Sequence, residues 1–206
     1  MAKGRRRLMR CGRRLLRRTV RHVGVAGGLF VLGTLMHEAG HGLAAILFGA
    51  RVVRLNVLGI QVYPSLVWDF QPGYFGRIWW QGQLTLRRQA GVLLSGNLVT
   101  MVVSFTALLL YLRRRPRGLA HTALLTLSLF FLDTLAHTLP TFGLPMYLLF
   151  GRRSVETISE GYLAAVALGV PGWVFQLAIV GYSMLAAVLL GWKLWSGRSQ
   201  KQAKGC

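Results

Sequence analysis

Acidic side chains are scarce in this chain. Of 206 residues only five are Asp or Glu, against 25 Lys and Arg, and the formal net charge is +20. Any chemistry that needs a carboxylate must draw on Glu38, Asp69, Asp133, Glu156 or Glu160. Cysteine is scarcer still. Cys11 and Cys206 stand near the two ends, which excludes a disulfide framework and any CxxC metal site and leaves the redox compartment unread. Histidine occurs five times, at His22, His37, His41, His121 and His137, too few for the many-histidine di-iron centres of membrane hydroxylases and desaturases. No internal repeat is present.

What fills the chain instead is apolar. Hydrophobic residues make up 53% of it, and the mean hydropathy is +0.47, too high for an ordinary soluble domain and typical of a membrane protein. The excess of positive charge would suit nucleic acid, but the basic residues sit beside apolar stretches, as membrane flanks do, so no nucleic acid is expected. Four stretches, about 23–49, 90–112, 119–139 and 172–195, are long enough to span a bilayer, which needs roughly 20 apolar residues. The only formal charges inside them are Glu38, Asp133 and Lys193. A shorter apolar piece at 161–170 reads as a half-helix or the start of a broken last helix. Pro140, Gly143 and Pro145 predict an irregular, re-entrant 140–150.

The expectation is an all-α polytopic membrane protein with four spans, five or six if the short pieces count, and a short membrane-associated β-hairpin after the first. Its organisation would be a basic segment at 1–22, an integral membrane domain at 23–195 and a polar tail at 196–206. With the N-terminus in the cytoplasm, 18 Lys and Arg fall on that side and seven on the other, which places both termini in the cytoplasm. Segment 1–22 carries ten Lys and Arg and no acid. It reads either as an amphipathic helix on anionic headgroups or as a flank that sets topology. A signal peptide is disfavoured, because there is no small-residue cleavage site and the apolar run is too long for an h-region. In 51–83, "RVVRLNVLGIQVYP" is rich in β-branched residues and breaks at Gly59, and Trp68, Tyr74, Trp79 and Trp80 follow. This segment reads either as a membrane-associated sheet that receives an extended peptide by strand addition or as a packing loop.

The first span contains "HEAGH". His37 and His41 are four residues apart, so on a helix they share one face and can bind one Zn²⁺. Glu38 lies beside them and can reach a water without being a ligand. A zinc ion there would acidify water and polarise a carbonyl, with Glu38 as general base and then as proton donor to a leaving amine. The alternative is a structural polar cluster. An ionisable residue mid-span costs about 2.5–3.5 kcal/mol on insertion scales, which argues for function. Ala39, Gly40, Gly42, Ala44 and Ala45 would let other backbones approach.

A catalytic zinc needs a third protein ligand. Asp133 lies 14 residues into the third span, as His37 does into the first, so both sit about 21 Å deep and can meet across adjacent helices. His137, one turn on, would orient that carboxylate or be a mere neighbour. Glu160 is the alternative ligand, or else a helix N-terminal charge. Asp69 is a weak candidate among interface aromatics, and Glu156 reads as a solvated loop residue. Ser95 and Asn97, with Thr34 and Thr134, could line a water path or support the site.

"HEAGH" in an early apolar span, followed by β-rich sequence, resembles the intramembrane zinc metalloproteases of the site-2 protease class, peptidase family M50. "AGVLLSGN" (90–97) looks like that class's Ala-Gly-Pro-x-x-Asn turn, with Val92 replacing the proline and Ser95 or Asn97 at the Asn position. "HTLP" (137–140) and "SEG" (159–161) are similar to its NxxP…LDG element, which would give Glu160 the ligand position. "FFLDTLAHTLP" and "SEGYLAAVALGVPGWVF" look like an M50B-like branch. The resemblance implies a zinc endopeptidase in a prokaryotic cell membrane. It would hydrolyse peptide bonds of membrane-embedded or membrane-proximal protein substrates, selected by the membrane or a partner. The competing expectations are a non-catalytic membrane adaptor with a degenerate zinc site, and a haem or other metal-binding protein using His37 and His137.

Overall fold

The computed structural model describes residues 2–69, 76–114, 116–138 and 160–203. In chain order the elements are α1 (Ala2–Leu47), β1 (Arg51–Val57), β2 (Ile60–Tyr63), β3 (Val67–Trp68), β4 (Gly76–Gln81), α2 (Leu86–Arg113), α3 (Gly118–Ser128), α4 (Phe131–Thr138), α5 (Glu160–Ala167) and α6 (Gly172–Ala203). Four stretches, Leu16–Leu47, Leu86–Arg113, Gly118–Leu135 and Gly172–Ser196, are long and apolar enough to cross a membrane.

Helix α1 runs through residue 22 without a break. No proline interrupts residues 1–63, and Arg and Leu are good helix formers. The basic stretch therefore runs into the first span as one helix. At 1.5 Å per residue it is about 69 Å long, roughly twice a bilayer's hydrocarbon core. It ends in a Schellman motif. Gly49 takes φ +91, its N–H donates to Ile46, and Ala50 N–H donates to Ala45 at 2.8 Å.

The next segment forms more than the hairpin expected. Leu58 and Gly59, both at positive φ, turn β1 into β2. The tryptophan-bearing β4 then pairs antiparallel along β1, from Arg51 opposite Gln81 to Val57 opposite Gly76. The four-stranded order is β3-β2-β1-β4. This sheet leans back on α1 at Gly42, where an added Cβ would stand 2.7 Å from Ile78 Cδ1 and 3.5 Å from Val52 Cγ2.

Helix α2 is the hub, packed against all five other helices. It crosses α1 backbone to backbone: a Cβ at Gly40 would lie 3.0 Å from Ser95 O and 3.2 Å from Gly96 Cα. Small residues permit that approach. The third apolar stretch is not one continuous helix. It breaks at Leu129–Phe130 between α3 and α4, just before Asp133. Phe130 fills the space left by Gly33 of α1, so the break is seated on the first span. The 161–170 piece is the separate short helix α5. It closes at Gly169 (φ +85) through a second Schellman pair, Gly169 to Val166 and Val170 to Ala165, and Pro171 prevents its continuation. The 140–150 re-entrant reading and Glu156 lie outside the described residues.

Polarity is inverted relative to a water-soluble bundle. Buried positions include His37, Glu38, His41, Asn97, Thr100, Ser104, Ser128, Thr134, Thr138 and Ser183, while Leu43, Ile46, Leu98, Leu177, Leu185 and Val188 are more than half exposed. Buried hydroxyls join helices or satisfy their own carbonyls, as with Ser104 Oγ donating to Ser128 O at 2.8 Å. That pattern is compatible with a multi-pass membrane protein, whose outer face is solvated by lipid.

Candidate functional site

The Gly40–Gly96 crossing brings one face of α1 onto the middle of α2, and that face carries His37, Glu38 and His41. All three are over nine-tenths buried. The two imidazoles stand edge to face, ring centroids 4.9 Å apart and planes at 73°, as one helical turn of separation dictates.

The His41 ring is held from outside. His41 Nδ1 lies 2.6 Å from Val92 O, and the Ser95 hydroxyl donates to the same carbonyl at 2.6 Å. A carbonyl only accepts, so Nδ1 carries the hydrogen, and a neutral ring would have its lone pair on Nε2. Gly96 leaves room for this ring: a Cβ there would fall 2.7 Å from Cε1 and 2.8 Å from Cδ2. His37 Nδ1 lies 3.0 Å from Asp133 Oδ2 of α4. His41 Nε2 faces Glu160 Oε2, the first residue of α5, at 3.7 Å.

Both candidate acids therefore reach the histidines, and each takes a different one. Among the described residues, no three His, Cys, Asp or Glu side chains gather into a single group able to hold a metal ion; the four form two pairs. Glu38 is covered by the start of β4, where a Cβ at Gly76 would stand 2.6 Å from its Cγ and 2.8 Å from its Cδ.

The supporting residues separate. Asn97 is buried beside α5: its Nδ2 would lie 3.1 Å from a Cβ at Gly161, and its Oδ1 is buried with no hydrogen-bond partner among the described residues. The Ser95 hydroxyl serves Val92 O, and Thr34 bonds its own helix at Phe30 O. Thr134 meets Thr100 at 3.5 Å. Asp69 is engaged in the sheet by Arg54 and by Asn56 Nδ2 at 2.8 Å. His137 lies on α4 one turn past Asp133, with its side chain outside the described residues.

Three participants escaped the sequence reading: the Val92 carbonyl, Gly96 and Gly76. For Gly96 a signal existed, since a glycine inside a helix costs up to about 1 kcal/mol against alanine and marks close approach. A backbone carbonyl leaves no such trace. Comparison with known families, curated proteins and solved structures finds no match for this chain.

Proposed function

We propose that this chain is an intramembrane zinc endopeptidase of the site-2 protease class, in which His37, His41 and Glu160 would have to close together on the metal, since the described side chains stand in pairs, and Glu38 would act as general base. The single observation that carries the reading is the arrangement around His41: Nδ1 is committed to Val92 O and Nε2 faces a carboxylate oxygen at 3.7 Å. Two donors about 2.0–2.2 Å from one tetrahedral ion stand roughly 3.3–3.6 Å apart, so this spacing is close to that of two ligands flanking a shared zinc. Asp133, the ligand first expected, lies against the Nδ1 of His37, which leaves Glu160 the better third ligand.

Zinc held there would supply Lewis acidity, lowering the pKa of water and polarising the scissile carbonyl. Glu38 takes the proton from the attacking water and returns it to the departing amine. Burial keeps the carboxylate away from bulk solvent. Strand β4 is an edge of the sheet, and it begins against Glu38. A substrate segment unwound from its helix and paired along β4 would deliver an extended peptide bond to that base. The buried Asn97 Oδ1 offers an acceptor to a substrate N–H. The charge bias places both termini in the cytoplasm, with the basic N-terminal helix beside anionic headgroups.

A non-catalytic adaptor with a degenerate site has one observation in its favour, the pairing of acids and imidazoles in twos. One experiment separates the readings. Zinc content and hydrolysis of β-casein are measured for wild type and Glu38→Gln purified in detergent. The expected result is about one zinc per chain in both, with cleavage in wild type only. A zinc-free wild type, or cleavage that survives Glu38→Gln, removes the hydrolase reading.

A further inference from the structure

We infer that the cluster of His37, Glu38 and His41 opens toward the membrane face opposite the basic ends of the helices, so that a peptide reaches it from the non-cytoplasmic side. The inference rests on the proposed function only in taking this cluster as the reaction site, and it does not depend on a bound metal.

The molecule has two unlike ends. One gathers the basic residues. There the first apolar stretch meets the start of α3, where His22 Nδ1 and the Thr122 hydroxyl are hydrogen-bonded. The end of α6 meets the end of α2 in the same way, Lys193 Nζ donating to Leu112 O at 2.6 Å. Arg17, Arg18, Arg21, Arg113, Arg114 and Arg117 lie exposed on these segments. The sheet stands at the other end, because it joins the end of α1 to the start of α2. Lys and Arg are retained on the cytoplasmic side of a bilayer, so the sheet end is the non-cytoplasmic one.

The cluster lies nearer the sheet. His41 is six residues from Leu47 and 20 from Arg21, about 9 Å against about 30 Å along the helix axis. Gly96, under the His41 ring, is ten residues from Leu86 and 17 from Arg113, about 15 Å against about 26 Å. Two helices of opposite direction thus put the cluster in the same half.

The interior differs in the same sense. Toward the basic end the helices close on an apolar cluster of Leu108, Tyr111, Phe131, Ala186 and Leu190. Between α1 and the α3–α4 break, the Phe130 ring occupies the space over Gly33, one turn before His37. The hydroxyls of Ser104 and Ser128, between cluster and plug, are spent on backbone carbonyls. An unwound peptide would carry polar backbone through this plug with nothing to bond it. On the other side the Glu160 side chain, 3.7 Å from His41, is 57% exposed. Glu38 meets Gly76, the first residue of the edge strand β4. The substrate class is therefore a membrane protein whose cleavable segment lies in the non-cytoplasmic half of the bilayer.

The test reads sidedness chemically, with the full chain in membranes of a bacterial expression host. Spheroplasts expose the outer face and inverted vesicles the cytoplasmic face. The probe is a small charged methanethiosulfonate that does not cross lipid. In wild type the native Cys11 and Cys206 should react in inverted vesicles and stay unmodified in spheroplasts. Gln81→Cys, Ser95→Cys and Asn97→Cys are each combined with Cys11→Ser and Cys206→Ser. Gln81→Cys, at the end of β4, should react in spheroplasts alone. Ser95→Cys and Asn97→Cys stand on α2 beside the cluster, and both should react in spheroplasts and lose that reaction in inverted vesicles. Either one carries the result if the other fails to accumulate. The inference is overturned if the native thiols react from outside, or if an α2 thiol reacts from the cytoplasmic face. It is also overturned if both α2 thiols stay inert from either face while the protein unfolded in detergent reacts. None of these readouts needs zinc or turnover. A chain that reacts as expected yet binds no zinc loses the hydrolase reading and keeps this one.

Discussion

The ring of His41 lies directly over Gly96. A methyl group on that glycine would stand 2.7 Å from Cε1 of the imidazole, and the ring cannot retreat because its Nδ1 is tied to Val92 O on the same helix.

Gly96→Ala should therefore displace the histidine and not merely crowd it. Overpacking of this kind costs about 1–3 kcal/mol, and if His41 binds zinc as proposed, its displacement should lower zinc affinity by more than tenfold. Gly181→Ala is the control. Nothing lies within 4 Å of a Cβ there, so helix propensity alone should stabilise that variant by up to about 1 kcal/mol. Thermal unfolding and metal titration of the two variants check both statements; equal behaviour would refute the crossing geometry.

The contact of Gly76 with Glu38 predicts a different outcome. Carboxylates swing more easily than buried rings, so Gly76→Ala should be tolerated by the fold, with the added methyl group pushing the base aside. Turnover of β-casein should drop at least tenfold while zinc stoichiometry stays at the wild-type value. If activity and zinc fall together, β4 supports the whole site and not only the base.

Lipid exposure of the outer face is checked on α6. Leu185 lies near the middle of the fourth apolar stretch and is 58% exposed. Leu185→Arg should cost about 2.5–3.5 kcal/mol on insertion and deplete the protein from membrane fractions. Leu185→Ala should not. Normal accumulation of the arginine variant would mean that this face meets water or another protein.

Much of the site was legible because helices convert spacing into geometry. "HEAGH" gave the shared face of His37 and His41 directly, and counting residues from the span ends brought Asp133 level with His37, which it meets at 3.0 Å. The same counting could not choose between Asp133 and Glu160. Glu160 follows a stretch of irregular sequence whose path no periodicity encodes. The sheet was half visible: β1, its turn at Gly59 and β2 follow from β-branched residues, but the partnership of β1 with β4 is a pairing across intervening chain and has no local signature. The break before Asp133 was invisible too, since "LSLFFLDTL" carries no proline or glycine and reads as one helix.

By itself the sequence determined that four stretches are greasy enough to span a bilayer and that one of them carries two imidazoles and a carboxylate on a single turn. Composition and helical period are local properties, and they need no fold to act. Only the tertiary structure decided which nitrogen of His41 is committed, which acid stands nearest which histidine, and that a bare α2 glycine makes the space for His41. Those outcomes depend on how closely separate backbones approach, and close approach is set by packing between elements rather than by any one of them.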